Sequence, residues 1–284
     1  MCTQLEQRTP QAVNELTIVH ISDIHFNADG GNLSPERALE LASKAIRQED
    51  PDWGNSILVL SGDFTTRGNK NGFNTASHYI HEYLLSDKMN FSSVLVCPGN
   101  HDITDTGCSF HEFNKFAFGI TDDSAQTFTA TRTICSVSRL GYRFVLVNSA
   151  HHGDHTYGKV DLEQLRDALE ASTPDEPIIL VVHHSPISSR YGGHGLEHSY
   201  ELLTLASHYK VALLLHGDIH SNQILTVGSA GTKVLGVGSL GFPPDPNMNN
   251  QFAVYKIEEN TFSGKLFNFQ ANRDMFIPSD LEPK

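Results

Sequence analysis

The stretch TIVHISDIHF (residues 17–26) sets how the rest of the chain is read: a short apolar run ends, and Asp23 and His25 follow at once as a DxH pair. The same arrangement recurs in SILVLSGD (56–63), SSVLVCPGNHD (92–102), IILVVHH (178–184) and VALLLHGDIH (211–220). Short apolar runs bounded by polar turn residues have the length and composition of buried strands. YRFVLVN (142–148), TKVLGVG (232–238) and QFAVYKI (251–257) read the same way but lack the polar tail. In open α/β sheets the carboxyl ends of strands form the crevice where ligands bind, so residues far apart in sequence can converge there.

Helical patterns lie between several of these runs. Ser34 before Pro35 can cap a helix carrying Ala38, Leu39, Ala42 and Ala45, and Asp161 with Gln164 resembles a capping box ahead of Leu165, Ala168 and Leu169. A further helix is expected from near Ser199. From about Leu213 onward the runs are strand-like, separated by Gly, Pro and Asn, which predicts a closing antiparallel section. SSRYGGHGLEHS (188–199) has the composition of a mobile loop, and the tail beyond Gln270 reads as a surface extension. The expectation is a layered α/β fold with mixed sheets, a single domain over 1–284 with its core at about 17–270.

Composition narrows the function classes. The formal net charge of −13, without a Lys/Arg cluster, argues against an extended nucleic acid as partner. It does not exclude a small anionic ester, because divalent ions supply positive charge locally. The four cysteines, Cys2, Cys97, Cys108 and Cys135, form no CxxC pair, which fits a reducing cytoplasm. The first residues are polar without an apolar signal core, and no run approaches the roughly 18 apolar residues of a membrane span, so neither secretion nor membrane insertion is expected.

The polar residues at the strand ends are of one chemical kind. Carboxylate, amide oxygen and imidazole together suit hard or borderline divalent ions, and one carboxylate can bridge two of them. Asp63 is the best bridge, and Gly62 before it leaves the backbone room to turn beside the ions. Taken singly, a DxH after a strand is most often a turn or helix cap, a lone GD carries less information still, and a lone strand-end His is usually just hydrogen-bonded. GNHD is more specific. All of them in this order, each at a strand end, point to a metal site.

In this order the motifs resemble the pattern of the calcineurin-like metallophosphoesterase superfamily: DxH, GD, GNHD, a His after a strand, and GHxH. Here these stand as Asp23-Ile24-His25, Gly62-Asp63, Gly99-Asn100-His101-Asp102, His183 and Gly217-Asp218-Ile219-His220. ISDIHF, LSGDFTTRG and VCPGNHD look most like the branch that includes class III cyclic-nucleotide phosphodiesterases. The resemblance implies a four-layer α/β/β/α sandwich with two mixed β-sheets. It also implies two divalent ions, drawn from Mn, Fe, Zn and Mg. The first would be held by Asp23, His25, Asp63 and His220. The second would be held by Asp63, Asn100, His183 and the residue at the first His of GHxH. His183 is preferred over His184, which stays open as the alternative. Position 218 departs from the pattern, being Asp where the family has His.

The mechanism so implied is in-line attack on phosphorus by a water or hydroxide held between the ions. His101 is the candidate acid for the leaving oxygen, with Asp102 fixing its orientation. The expected activity is hydrolysis of a small phosphodiester, possibly a nucleotide. A phosphomonoesterase, or a weakly active or non-catalytic scaffold on the same fold, is the alternative left open by GDIH. His151, His152, His155, Tyr157, Arg190, His194 and His198 are candidates for touching substrate, and Phe26 is read as packing rather than base stacking.

Overall fold

The computed structural model describes residues 15–26, 33–49, 51–66, 68–87, 89–103, 110–173, 175–187, 195–242, 248–258 and 261–281. In chain order these form β1 (Leu16–Ile21), α1 (Pro35–Gln48), β2 (Ser56–Leu60), α2 (Lys70–Tyr83), β3 (Ser93–Val96), α3 (His111–Thr121), β4 (Ile134–Arg139) and β5 (Tyr142–Val147). Next come β6 (Gly158–Lys159), α4 (Leu162–Glu170), β7 (Ile178–Val182), β8 (Leu196–Glu197), α5 (Ser199–His208) and β9 (Leu213–His216). The chain closes with β10 (Gln223–Val227), β11 (Thr232–Gly236), β12 (Gln251–Glu258), β13 (Thr261–Gln270) and β14 (Met275–Asp280).

Two six-stranded sheets result, with orders β14-β13-β12-β1-β2-β3 and β10-β11-β9-β7-β5-β4. Both are mixed. In the first, β1, β2 and β3 run parallel and β12 joins β1 antiparallel; in the second, β5, β7, β9 and β11 run parallel and β4 and β10 are antiparallel edges. All eight apolar runs singled out in the sequence lie in strands of these sheets.

Side-chain alternation along the second sheet shows how the layers stack. Phe144 and Leu146 of β5, Ile179 and Val181 of β7, and Leu213 and Leu215 of β9 share one core with the first sheet and α1, α2 and α3. The intervening Val145, Val147, Leu180, Val182 and Leu214 face a second core closed by Leu165 and Leu169 of α4 and Leu202 and Ala206 of α5. Successive strand residues point to opposite faces, so one sheet serves both cores. The molecule is therefore a four-layer α/β/β/α sandwich.

The caps act largely as the sequence suggests. Ser34 Oγ accepts from Arg37 N at 3.3 Å ahead of Pro35. Asp161 accepts from Gln164 N at 3.0 Å, but Gln164 does not complete the box. Its amide donates to Asp161 Oδ2 and accepts from Thr133 N, tying the start of α4 to β4. Phe26 is buried and stacks on Tyr79, a packing role.

The stretch beyond Gln270 is not a surface extension. It pairs with β13 as the edge strand β14, because Phe276 is buried against Phe252 and Phe269 and pulls the segment onto the sheet. Of the loop expected at 188–199, residues 188–194 lie outside the described residues, while Leu196–Glu197 form β8, which pairs with β6, and α5 begins at Ser199.

Candidate metal centre

Parallel β1, β2 and β3 deliver the DxH, GD and GNHD segments to one end of the first sheet, and parallel β7 and β9 deliver His183 and the GDIH segment from the second. Asp23, His25, Asp63, Asp218 and His220 all adopt positive φ, between 51° and 72°. Non-glycine residues hold such backbone angles at a cost of order 1–3 kcal/mol each, and they concentrate at functional sites. Gly62 has φ 105°, and a Cβ there would stand 2.6 Å from Gly99 N and 2.7 Å from His183 Nδ1. Only glycine permits the GD and GNHD turns to approach this closely.

The side chains converge in two groups, each compact enough to hold an ion: Asp23, His25 and His220, and Asp23, Asp63 and His183. Asp23 Oδ1 lies 3.3 Å from His220 Nε2 and 3.7 Å from His25 Nε2. Asp63 Oδ2 lies 3.4 Å from His25 Nε2 and 3.3 Å from His183 Nε2. Asn100 Oδ1 is 3.1 Å from His183 Nε2. Two atoms each about 2.0–2.1 Å from a tetrahedral ion stand about 3.4 Å apart, so these separations suit donors around a cation.

Two further observations test the fit. Asp23 Oδ1 and both ring nitrogens of His25 are buried without a hydrogen-bond partner among the described residues. Such atoms are costly unless a ligand satisfies them. Burial would raise the Asp23 carboxyl, yet the His220 and His25 imidazoles beside it hold it well below its usual range. Asp63 is likewise held low against its burial, by His183 and His25. Burial opposes charge on His183 and His220 too, but Asp63 raises His183 well above the usual range and Asp23 raises His220. Anionic oxygens facing imidazole nitrogens in a dry pocket are a donor set for divalent cations.

Of the HH pair, His183 faces the cluster. Its Nδ1 meets Ser61 O at 2.8 Å, which leaves Nε2 toward Asp63 and Asn100. His184 turns the other way, with Nδ1 2.7 Å from Ser149 Oγ. Burial and the neighbouring His183 push its pKa well down.

His101 lies at the mouth, half-buried, its ring edge-on to His25 with centroids 5.1 Å apart. Its backbone N–H donates to Asp63 Oδ1 at 2.9 Å, and its Nδ1 lies 3.1 Å from Thr66 O. Asp102, expected to orient this ring, does something else. Its carboxylate accepts from the backbone N–H groups of Phe64, Thr65 and Gly99 at 2.9, 3.1 and 3.0 Å, pinning the GD turn to the GNHD turn. Burial and the nearby Asp63 push its pKa up to about 8, against those backbone donors. The orienting partner of His101 is the Thr66 carbonyl, a backbone group that no side-chain motif reveals.

Asp218 joins neither compact group. Its Oδ2 accepts from Ser185 N at 3.3 Å, and its own N–H donates to Asp23 Oδ2 at 3.1 Å. A short side chain turned to a backbone donor stops short of the cluster. Among the substrate candidates, His155 is placed nearest: its ring Nδ1 lies 2.7 Å from Asn100 O, while Asn100 Nδ2 donates to His155 O at 2.8 Å. That clamp aims Asn100 Oδ1 at the cluster. His152 packs against both His151 and Tyr157 in the same loop, and His198 is the cap residue before α5. Arg190 and His194 lie outside the described residues.

No curated protein matches the chain by sequence. The chain shares its fold with solved structures, among them a plant phosphatase and a Plasmodium anchor protein. A purple acid phosphatase from yellow lupin seeds superposes with a TM-score of 0.63 at 15% identity, over 95% of this chain and 54% of that one, so this chain spans about half the phosphatase's length. GAP50, the anchor in the inner membrane complex of Plasmodium, superposes with a TM-score of 0.54 at 12% identity, over 95% of this chain and 90% of that one. The sequence model of calcineurin-like phosphoesterases matches residues 16–222, from β1 to just past His220, and so takes in every segment that converges here. The chain belongs to the calcineurin-like phosphoesterase family.

Proposed function

We propose that the protein hydrolyses a small phosphodiester with two divalent ions, drawn from Mn, Fe, Zn and Mg. Asp23, His25, Asp63 and His220 would hold the first ion, and Asp63, Asn100 and His183 the second, with Asp218 at its margin. The observation that carries this reading is one carboxylate oxygen, Asp63 Oδ2, facing His25 and His183 at 3.4 and 3.3 Å. Two ions, when bound, supply Lewis-acid stabilisation of phosphoryl charge and a water acidic enough to attack phosphorus.

The chain's own residues complete the chemistry. With Nδ1 donating to the Thr66 carbonyl, His101 presents Nε2 at the mouth, where it can hold a proton for the leaving oxygen. Asp63 Oδ1 fixes the His101 backbone, so acid and bridge move as one unit. The −13 net charge disfavours extended nucleic acid, and no helix among the described residues is long and apolar enough to cross a membrane. Cys97 and Cys135, free and buried, accord with a reducing cytoplasm as the place of action.

Fold alone does not choose between enzyme and scaffold, since function lies in the site. Asp218 favours a second reading, a weakly active or non-catalytic protein, because its carboxylate is engaged by Ser185. Metal analysis combined with hydrolysis of bis-p-nitrophenyl phosphate and p-nitrophenyl phosphate separates the possibilities. Two ions with faster diester cleavage are expected. Faster monoester cleavage would overturn the diester preference, and no cleavage at full metal loading would establish the scaffold.

A further inference from the structure

A histidine that binds a metal almost always donates its other ring N–H to a carbonyl or carboxylate, which fixes the ring. His183 follows this rule through Ser61 O. His25 does not: neither of its ring nitrogens has a hydrogen-bond partner among the described residues. Its ring instead packs against Phe242, with centroids 4.6 Å apart. The same Phe242 ring packs against His220 at 4.8 Å, and the two imidazoles meet edge to face at 5.7 Å.

Phe242 is placed there by a rigid connection. The turn after β11 docks directly on the DxH backbone: Leu240 N donates to Ser22 O, Gly241 N to Asp23 O, and Ser239 Oγ to Asp23 O, at 3.0, 3.2 and 2.8 Å. A Cβ at Gly241 would stand 2.2 Å from Ile24 O, so only glycine allows the turn to lie this close. Phe242 itself is held at both ends, its N–H donating to Ser239 Oγ at 2.8 Å and its carbonyl accepting from Asn250 Nδ2 at 2.8 Å. The aromatic ring is thus tied through its turn to the backbone of Ser22 and Asp23, the latter two residues before His25, whose imidazole it packs against.

We propose that Phe242 is a positioning residue for the first metal, its ring fixing the His220 imidazole and, in place of the usual hydrogen bond, that of His25. This rests on the metal reading above. Ring-on-ring packing restricts rotation about the imidazole's own torsions, and its apolar face keeps water off the ligands. The second ion, held through His183 and Asn100 with their own carbonyl partners, does not depend on it.

Mn²⁺ titration by calorimetry of the full-length wild type, Phe242→Ala and Phe242→Tyr tests this without recourse to activity. Two binding steps are expected in wild type. Phe242→Ala should weaken one of them by roughly 10- to 100-fold, the loss typical of an orienting partner, and Phe242→Tyr, which keeps the ring, should restore it. Combining Phe242→Ala with His220→Ala should add little, because both act on one ion, whereas combining it with Asn100→Ala should weaken both steps. Unchanged steps in Phe242→Ala, equal weakening of both, or no recovery in Phe242→Tyr would overturn the assignment while leaving the dinuclear reading intact. A wild type that binds no ion would overturn both.

Discussion

Oδ2 of Asp63 stands 3.3 Å from Nε2 of His183, and the same oxygen lies 3.4 Å from His25 Nε2. Its partner oxygen, Oδ1, accepts the His101 N–H. One carboxylate therefore ties together the DxH, GNHD and HH segments. Removing it in Asp63→Ala should deplete both ions, since its Oδ2 lies within 3.4 Å of both His25 and His183. Elemental analysis of the purified variant checks this; metal content equal to wild type would show that Asp63 does not bridge.

His101→Ala removes the group at the mouth while leaving each proposed ligand in place. Turnover of a diester with a poor leaving group should fall about 10²–10⁴-fold, the usual contribution of a positioned acid. Metal content should stay near that of wild type. A diester with an activated leaving group should lose much less, because its leaving oxygen needs no proton. Full activity on the poor leaving group would remove His101 from the chemistry.

Much of this site was legible because each polar motif follows directly on an apolar run, and such runs become parallel strands whose ends must share an edge. Asp23, His25, Asp63, Asn100, His183 and His220 are brought together as that logic requires. What escaped the sequence reading acts through backbone or packing. Thr66 holds His101 and Ser61 holds His183 by carbonyls, Asp102 binds three N–H groups from neighbouring turns, and Phe242 reaches the site only because its turn docks on Asp23. In the fold, β13 and β14 were missed for a related reason. Only Leu266, Phe267 and Phe269 of β13 and Phe276 of β14 are buried, and Gly264 and Pro278 interrupt the strand patterns, so only contacts such as Phe276 with Phe252 show that they belong to the sheet.

His20 predicts a pH dependence of stability. It is fully buried in β1, with Nε2 2.8 Å from Ser61 Oγ. Burial, with repulsion from His216, lowers its pKa to about 3, against attraction to Asp23. The unfolded chain takes up this proton near pH 6.5, while the folded protein does so only near 3. Between these values the unfolded state binds more protons, so the His20 contribution is complete above about pH 6.5 and declines as pH falls. His216, lowered to about 4 by burial, acts in the same sense. In EDTA-treated protein the Tm of His20→Gln should gain on wild type as pH falls from 6.5 to 4.5. A Tm difference that does not vary over this window would mean that His20 is not buried in neutral form.

The last prediction concerns Asp218, which occupies the family's first GHxH histidine position. Its φ of 72° shows that the backbone there already has the left-handed turn that His220 shares at 51°, so an imidazole at 218 needs no new backbone strain. The present carboxylate is short and accepts from Ser185 N rather than joining Asp63 and His183. Burial raises its pKa, attraction from His183 opposes this, and Asp23 and Asp63 raise it further, so it is a third acidic group beside two already ionised ones. Around two dications that extra charge weakens the pull on an incoming phosphate and on the attacking water. Asp218→His replaces the carboxylate with a longer, neutral donor. Second-metal occupancy should rise, and diesterase activity near neutral pH should increase, most clearly at limiting Mn²⁺. The Ser185 N–H loses its acceptor, an expected cost of about 1 kcal/mol in stability, small beside the gain from a bound ion. Mn²⁺ titration of both forms, followed by hydrolysis, decides the matter: weaker metal activation and lower turnover in Asp218→His would mean that this carboxylate is adapted to its own metal and substrate.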